Sequence, residues 1–186
     1  IAVSDDLFRV LVLGKQLSEQ TDGAFDMTIG PLTQLWRKSK RTRRLPSDAD
    51  LQAARAAVGY RHLRLNAKTQ TAALDKEGMR LDAGAIAVGY AVDQSLAAIT
   101  KLGITSAMID ASGDIGCTGP PPGEKGWRIG IAPLNPDAPP SRFLRLAHGA
   151  VTTSGDAYQH VTLNGTRYSH IVDQRTGLGM TRLTAA

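Results

Sequence analysis

The stretch HVTLNGTRYSHIV, residues 160–172, carries Asn164-Gly165 at its centre. That pair is the strongest short-range hairpin signal, because both residues tolerate the positive φ that a tight two-residue turn demands. Such a turn sets the register, with Leu163 opposite Thr166 and Val161 opposite Tyr168. Strand alternation then places Val161, Leu163, Tyr168 and His170 on one face. An imidazole on an apolar face has two readings: a hydrogen-bonded core residue, or a group with chemistry to perform. The hairpin alone leaves both open. Asp173 follows three residues on and faces the other way by alternation, so it is a weak partner for that histidine, and DQRTG (173–177) reads as a turn.

Working outward, Ser4 can cap a helix whose first turn holds Asp5 and Asp6, well placed against the helix dipole. Leu7, Val10, Leu11 and Leu17 recur along one face of it. TDGAFD (21–26) ends that helix, and Pro31 suits the first turn of a short second helix ending near Trp36. Ser47 caps a third, closed by Gly59. The period then changes: RHLRLN (61–66) alternates, TQTAALD (69–75) pairs with it, and MRLDAG (79–84) leads into a helix over 85–101. That helix is amphipathic through Ile86, Tyr90, Leu96 and Ile99 and stops at Gly103. ITSAMID (104–110) and WRIGIA (127–132) read as strands, while GPPPGEKG and PLNPDAPP read as surface loops. Helices and mostly antiparallel strands in mixed order predict an α+β fold.

The 186 residues predict a single domain, and 42% hydrophobic content suffices for a core. No apolar run approaches the roughly 18 residues that cross a bilayer. The net charge of +5 favours anionic partners, but residues 37–44, RKSKRTRR, hold six of the basic side chains. No aromatic residue interleaves that run and no nucleic-acid-binding motif follows it, so it reads as a solvated loop and nucleic acid is not expected as a partner. Cys117 is the one cysteine, which leaves neither a disulfide framework nor a cysteine metal site.

The residues offer few self-sufficient catalytic motifs. LDAGAIAVGY (81–90) is a glycine-containing junction into a helix, where free N–H groups can bind phosphate and free carbonyls a metal. Its glycines fit neither the dinucleotide fingerprint nor the P-loop, and a simple glycine-eased turn explains them as well. In IDASGDIG (109–116), Asp110 and Asp114 either orient a ligand or form Asx turns. TSGDAY (153–158) carries the same ambiguity. Bare chemistry reaches no further than a ligand-binding α+β domain suited to an anion.

The order of the segments is more specific. TDGAFDMTIGPLTQLW, LDAGAIAVGYAVDQ, MIDASGDIGCTG, WRIGIA, VTTSGDAY and YSHIVDQRTG resemble, in this order, the motifs of the ApbE family, the FAD:protein FMN transferases. The resemblance runs from about residue 4 to residue 179. It implies a T-fold-like α+β domain binding FAD, with Mg2+ as the metal. A threonine hydroxyl of an acceptor flavoprotein, of the membrane redox complex subunit type, would attack the FMN-side phosphorus and AMP would leave. By motif position, Ala24, Phe25 and Asp26 look like the flavin-contacting AFD, and Asp82 like the FAD-binding aspartate. Ala85 stands where a backbone oxygen helps hold the metal. Val88 stands beside the ligand where the family usually has lysine or glutamate. His170 looks like the family's histidine, the general base for the threonine, and Ile171 lies beside the ligand.

The resemblance also implies that segments at both ends are missing, among them an aspartate and a threonine that ligate magnesium. This chain is therefore expected to be an inactive fragment, with membrane association only through a missing N-terminal anchor and a periplasmic or cell-envelope location. Two other classes stay in view: a non-catalytic flavin-binding protein, and a basic interaction module using residues 37–44.

Overall fold

The computed structural model describes residues 1–131, 133, 138–154 and 159–182. In chain order the helices are α1 (Asp5–Gln20), α2 (Gly30–Thr42), α3 (Asp48–Ala56) and α4 (Ala87–Lys101), with a 3-10 turn at Tyr60–His62. The strands are β1 (Leu63–Asn66), β2 (Thr71–Leu74), β3 (Met108–Ala111), β4 (Asp114–Cys117), β5 (Trp127–Ile131), β6 (Arg142–Leu146), β7 (Gly149–Val151), β8 (His160–Leu163), β9 (Thr166–Ser169), β10 (Val172–Asp173) and β11 (Leu178–Gly179). Every pairing between these strands is antiparallel, so the α+β expectation holds. The described residues form two compact units, Ile1–Ile86 with His160–Arg182, and Ala87–Gln159.

The first unit is built on the predicted hairpin. β8 and β9 pair Val161 with Tyr168 and Leu163 with Thr166, and Asn164 and Gly165 take φ of 49° and 77° at the turn. Val161 and Leu163 are buried with Trp36 of α2, and Tyr168, Val172 and Leu178 pack against them. Trp36 meets the Tyr168 ring edge-on at 5.4 Å between centroids. Its indole N–H donates to the Ser169 carbonyl at 3.1 Å, so the polar tip of this buried side chain is satisfied.

α1 starts as expected, with the Ser4 hydroxyl accepting from the Leu7 N–H at 3.3 Å. Its buried face, however, is Val10, Leu11, Gly14 and Ser18, while Leu7 and Leu17 are 42% and 38% exposed. The reason lies at Gly14, where any Cβ would collide with the Met27 sulfur. Small residues let the buried 26–28 segment approach, and that contact sets the helix's rotation.

α2 is the larger correction. It runs through Thr42, so most of the basic run is helix rather than a solvated loop. Leu32, Trp36 and Ser39 continue the helical period on the buried side, and the cations occupy the remaining arc. Lys40 and Arg41 lie in the last turn, where they oppose the helix dipole. Arg43 ends the helix in a left-handed conformation, with φ of 59°. The Ser47 cap of α3 forms as predicted, taking the Asp50 N–H at 3.2 Å, but the helix stops at Ala56 and Gly59 begins the 3-10 turn instead.

In the second unit, Val92 and Leu96 of α4 are buried, with Tyr90 and Ile99 half-buried. Gly116 of β4 makes this possible, since a Cβ there would sit 2.6 Å from the Val92 methyl. β3 begins at Met108, later than the sequence suggested, because Thr105 and Ala107 instead bond to Gly119 and Thr118 in a connecting loop. β4 pairs with β3 and β7, and β5 pairs with β6. Ala132, at the end of the predicted fifth strand, and residues 155–158 of the TSGDAY segment lie outside the described residues. Among the described residues, no helix is long and apolar enough to cross a membrane.

Candidate functional site

Three of the quoted segments meet in the first unit. The 26–30 segment runs beside 80–82: Ile29 and Arg80 form a parallel bridge, and the Asp82 N–H donates to the Met27 carbonyl at 2.7 Å. At Gly30 a Cβ would fall 2.5 Å from the Arg80 carbonyl oxygen, so only glycine permits that approach. The 173–177 turn closes on the same region, where the Gln174 amide reaches the Ala24 carbonyl at 3.4 Å. Between the 22–26 turn, the 55–60 segment and Gln174–Arg175 lies a cavity of about 350 Å³.

Asp26 is 6% exposed and fully engaged. One carboxylate oxygen accepts both the N–H and the hydroxyl of Thr28 at 2.7 Å, and the other accepts the Tyr60 N–H at 2.9 Å. The Thr28 hydroxyl in turn accepts the Gly59 N–H at 2.8 Å. A buried carboxylate must be paid in hydrogen bonds, and here the donors pin the 59–60 turn to the 26–28 segment. Asp26 thus borders the cavity while holding its wall. Phe25 is half-buried and Ala24 exposed beside it, with the Phe25 N–H held by the Thr21 hydroxyl at 3.1 Å.

Asp82 sits in a different environment. Its carboxylate accepts from the Thr33 hydroxyl at 2.7 Å, from the Arg37 guanidinium at 2.8 Å and from the Gly84 N–H at 3.0 Å. Burial pushes its carboxyl upward, but the Thr33 hydroxyl, the Gly84 N–H and the Arg37 charge together outweigh it and hold the group below its ordinary value. Its ionised form therefore supports the fold above the unfolded-state value of about 3.9, and that support fades as pH falls through the lower folded value. Thr33→Val removes one of the three kinds of donor and should move the Asp82 titration upward. Carboxyl-carbon NMR reads this directly, and an unmoved midpoint would leave Gly84 and Arg37 as the sole controls.

Ala85 is exposed in the turn over 84–86 that precedes α4. Val88 belongs to α4 in the second unit and is 37% exposed. Among the described residues, no group of three or more His, Cys, Asp or Glu side chains could hold a metal ion. A carbonyl at Ala85 and an Asp82 already committed to three donors do not make the oxygen set that magnesium takes.

His170 lies just past the strand on whose alternation its expected face rests. β9 ends at Ser169, and His170 is half-buried one residue beyond the ladder. Ser169, its neighbour, is held from three sides: its N–H donates to Met180 O at 2.7 Å, its carbonyl accepts Trp36, and its hydroxyl accepts the Ile171 N–H at 3.0 Å. Ile171 is half-buried, its carbonyl taking the Met180 N–H at 2.8 Å. Asp173 is occupied locally. Hydrogen bonds from the Arg175 side chain and backbone lower its carboxyl.

Thr33, Arg37, Thr28 and Ser169 were not singled out in the sequence. Thr33 and Arg37 lie four apart on one face of α2, a spacing that becomes visible once the helix is carried past Trp36. In the second unit, Asp110 accepts the Gly113 N–H at 2.8 Å and Asp114 accepts the Thr152 hydroxyl. Ser112 and Gly113 have φ of 59° and 98°, so this segment makes a turn.

A family model described as the ApbE family matches residues 1–186. The chain belongs to the ApbE family. Among curated relatives, the FAD:protein FMN transferase of Vibrio cholerae is 32% identical over 179 residues, covering 95% of this chain and 53% of that protein. The crystal structure of the ApbE protein of Thermotoga maritima superposes with a TM-score of 0.87 at 31% identity, covering 96% of this chain and 58% of that one. The flavin transferase ApbE from Vibrio cholerae gives a TM-score of 0.83 at 32% identity, covering 96% and 57%. This ApbE chain thus spans about half the length of the curated relatives it matches.

Proposed function

We propose that this chain carries the flavin-binding part of an FAD:protein FMN transferase. The observation that carries the reading is that the 24–30 segment is bonded both to the 80–82 segment, which holds Asp82, and to the 173–177 turn, with Asp26 and Gln174 lining one cavity. The likeness to relatives named FAD:protein FMN transferase supports it. In the proposed reaction a threonine hydroxyl of the acceptor protein attacks the FMN-side phosphorus. The P–O bond to AMP breaks with its electron pair on AMP, and the proton passes to the imidazole of His170. FMN remains on the acceptor as a phosphoester. Ala24 and Phe25 would contact the flavin, Asp26 would hold the wall behind them, and Asp82 would fix the bound FAD in one orientation. Ile171 would lie against it.

Magnesium would screen the pyrophosphate charge against the entering oxygen. The described residues do not complete its ligand set, and no step here is assigned to it. FAD titrated into the 186-residue chain by calorimetry should bind weakly, with affinities in Mg2+ and in EDTA agreeing within about twofold. AMP release with a threonine-bearing acceptor peptide should stay at background, since phosphoryl transfer relies on charge neutralisation by metal and cation. Tight, Mg2+-dependent binding with AMP release would show that this chain completes the metal site. Absence of any FAD binding would remove the flavin reading itself.

A further inference from the structure

The C-terminal half of α2 and the two residues after it carry cations that, Arg37 apart, no carboxylate among the described residues answers. Arg37 pairs with Asp82, but Lys38, Lys40, Arg41, Arg43 and Arg44 form no ion pair with a described residue. Three of the six cations, Arg37, Lys38 and Arg41, line a cleft of about 550 Å³ between α2 and α3. Leu35 of α2 and Ala53 and Ala54 of α3 add apolar surface to the same cleft. Its single carboxylate, Asp50, is tied to the cap of α3 through the Ser47 hydroxyl at 2.7 Å.

The geometry points to this cleft as a docking site for an acidic, extended segment of a partner protein. Exposed like charges on one helix repel one another, and an anionic ligand relieves that repulsion while steering association. The mixture of cations with an apolar strip suits a chain that alternates acidic and apolar side chains. A single-stranded nucleic acid would want aromatic stacking platforms, and none lines the cleft. A recess between two helices also fits one extended chain better than the plane of a membrane. The proposal involves no flavin and stands or falls apart from the transferase reading.

Fluorescence anisotropy of a short fluorescein-labelled peptide rich in Glu, Asp and Leu tests it on the 186-residue chain. Binding should be measurable at low salt and weaken as salt rises, because the contacts are exposed charges. Lys38→Ser with Arg41→Ser should weaken binding about tenfold or more, and so should Ala53→Glu, which places an acid in the cleft. Lys68→Ser with Lys125→Ser removes the same charge from exposed loops and should change affinity less than about twofold. Every substituted position is solvent-facing, so thermal midpoints should stay near that of the parent. Equal weakening by the two double variants, or no peptide binding at all, would overturn the proposal. So would tighter binding of a single-stranded oligonucleotide or of anionic phospholipid vesicles that depends on Lys38 and Arg41.

Discussion

In a protein of the relatives' full length carrying this sequence, His170→Ala should lower FMN transfer about 10²–10⁴-fold and leave FAD affinity within a few-fold. A positioned base acts on the proton in flight and contributes little to ground-state binding, so the loss should fall on rate. In the structure His170 lies past the end of β9 and is half-buried. A packing histidine would show the opposite split, with stability lost and rate retained. His170→Gln keeps hydrogen-bonding groups but takes up no proton at neutral pH, so it should be about as slow as the alanine variant. Single-turnover AMP release alongside FAD calorimetry separates the two quantities. Transfer at the parental rate in either variant would sink the general-base role.

The largest effect on stability should come from Trp36→Ala, at about 3–5 kcal/mol. The indole is 2% exposed and packs against Val161, Leu163 and Tyr168. Its N–H also satisfies the Ser169 carbonyl, which sits in a residue 1% exposed. Trp36→Phe isolates that second contribution: most of the packing stays and the carbonyl loses its donor, for a cost of about 1–3 kcal/mol. Urea unfolding followed by circular dichroism measures both. A loss below about 1 kcal/mol for the alanine variant would mean that α2 and the hairpin are not held together through this residue. Domains are stable by only about 5–15 kcal/mol, so the alanine variant is expected to be partly unfolded at ordinary temperatures.

How far the sequence could be read depended on how local the decisive interaction was. The Asn164-Gly165 turn sets its own register, because φ preference at two residues and the period of the strand suffice. The caps at Ser4 and Ser47 were legible for the same reason, since a hydroxyl and an N–H three residues on close a local ring. The length of α2 was not legible. Six cations hid the Leu32–Trp36–Ser39 period, and that period has meaning only once a hairpin more than a hundred residues later covers it.

The site divides along the same line. Family resemblance brought Asp26, Asp82 and His170 forward as candidates, but not what each carboxylate or ring would touch. Asp26 proves to be saturated by Thr28 and Tyr60, and Asp82 by Thr33, Arg37 and Gly84, through partners as far as 49 residues away. The end of β9 next to His170 is held by Ser169 meeting Trp36 and Met180, which alternation does not encode. By itself the sequence determined the α+β class, the hairpin and the helix caps, all set by neighbours along the chain. Only the tertiary structure decided the rotation of α1, the extent of α2 and the surroundings of each candidate residue, because those rest on burial and hydrogen bonds between segments far apart in sequence.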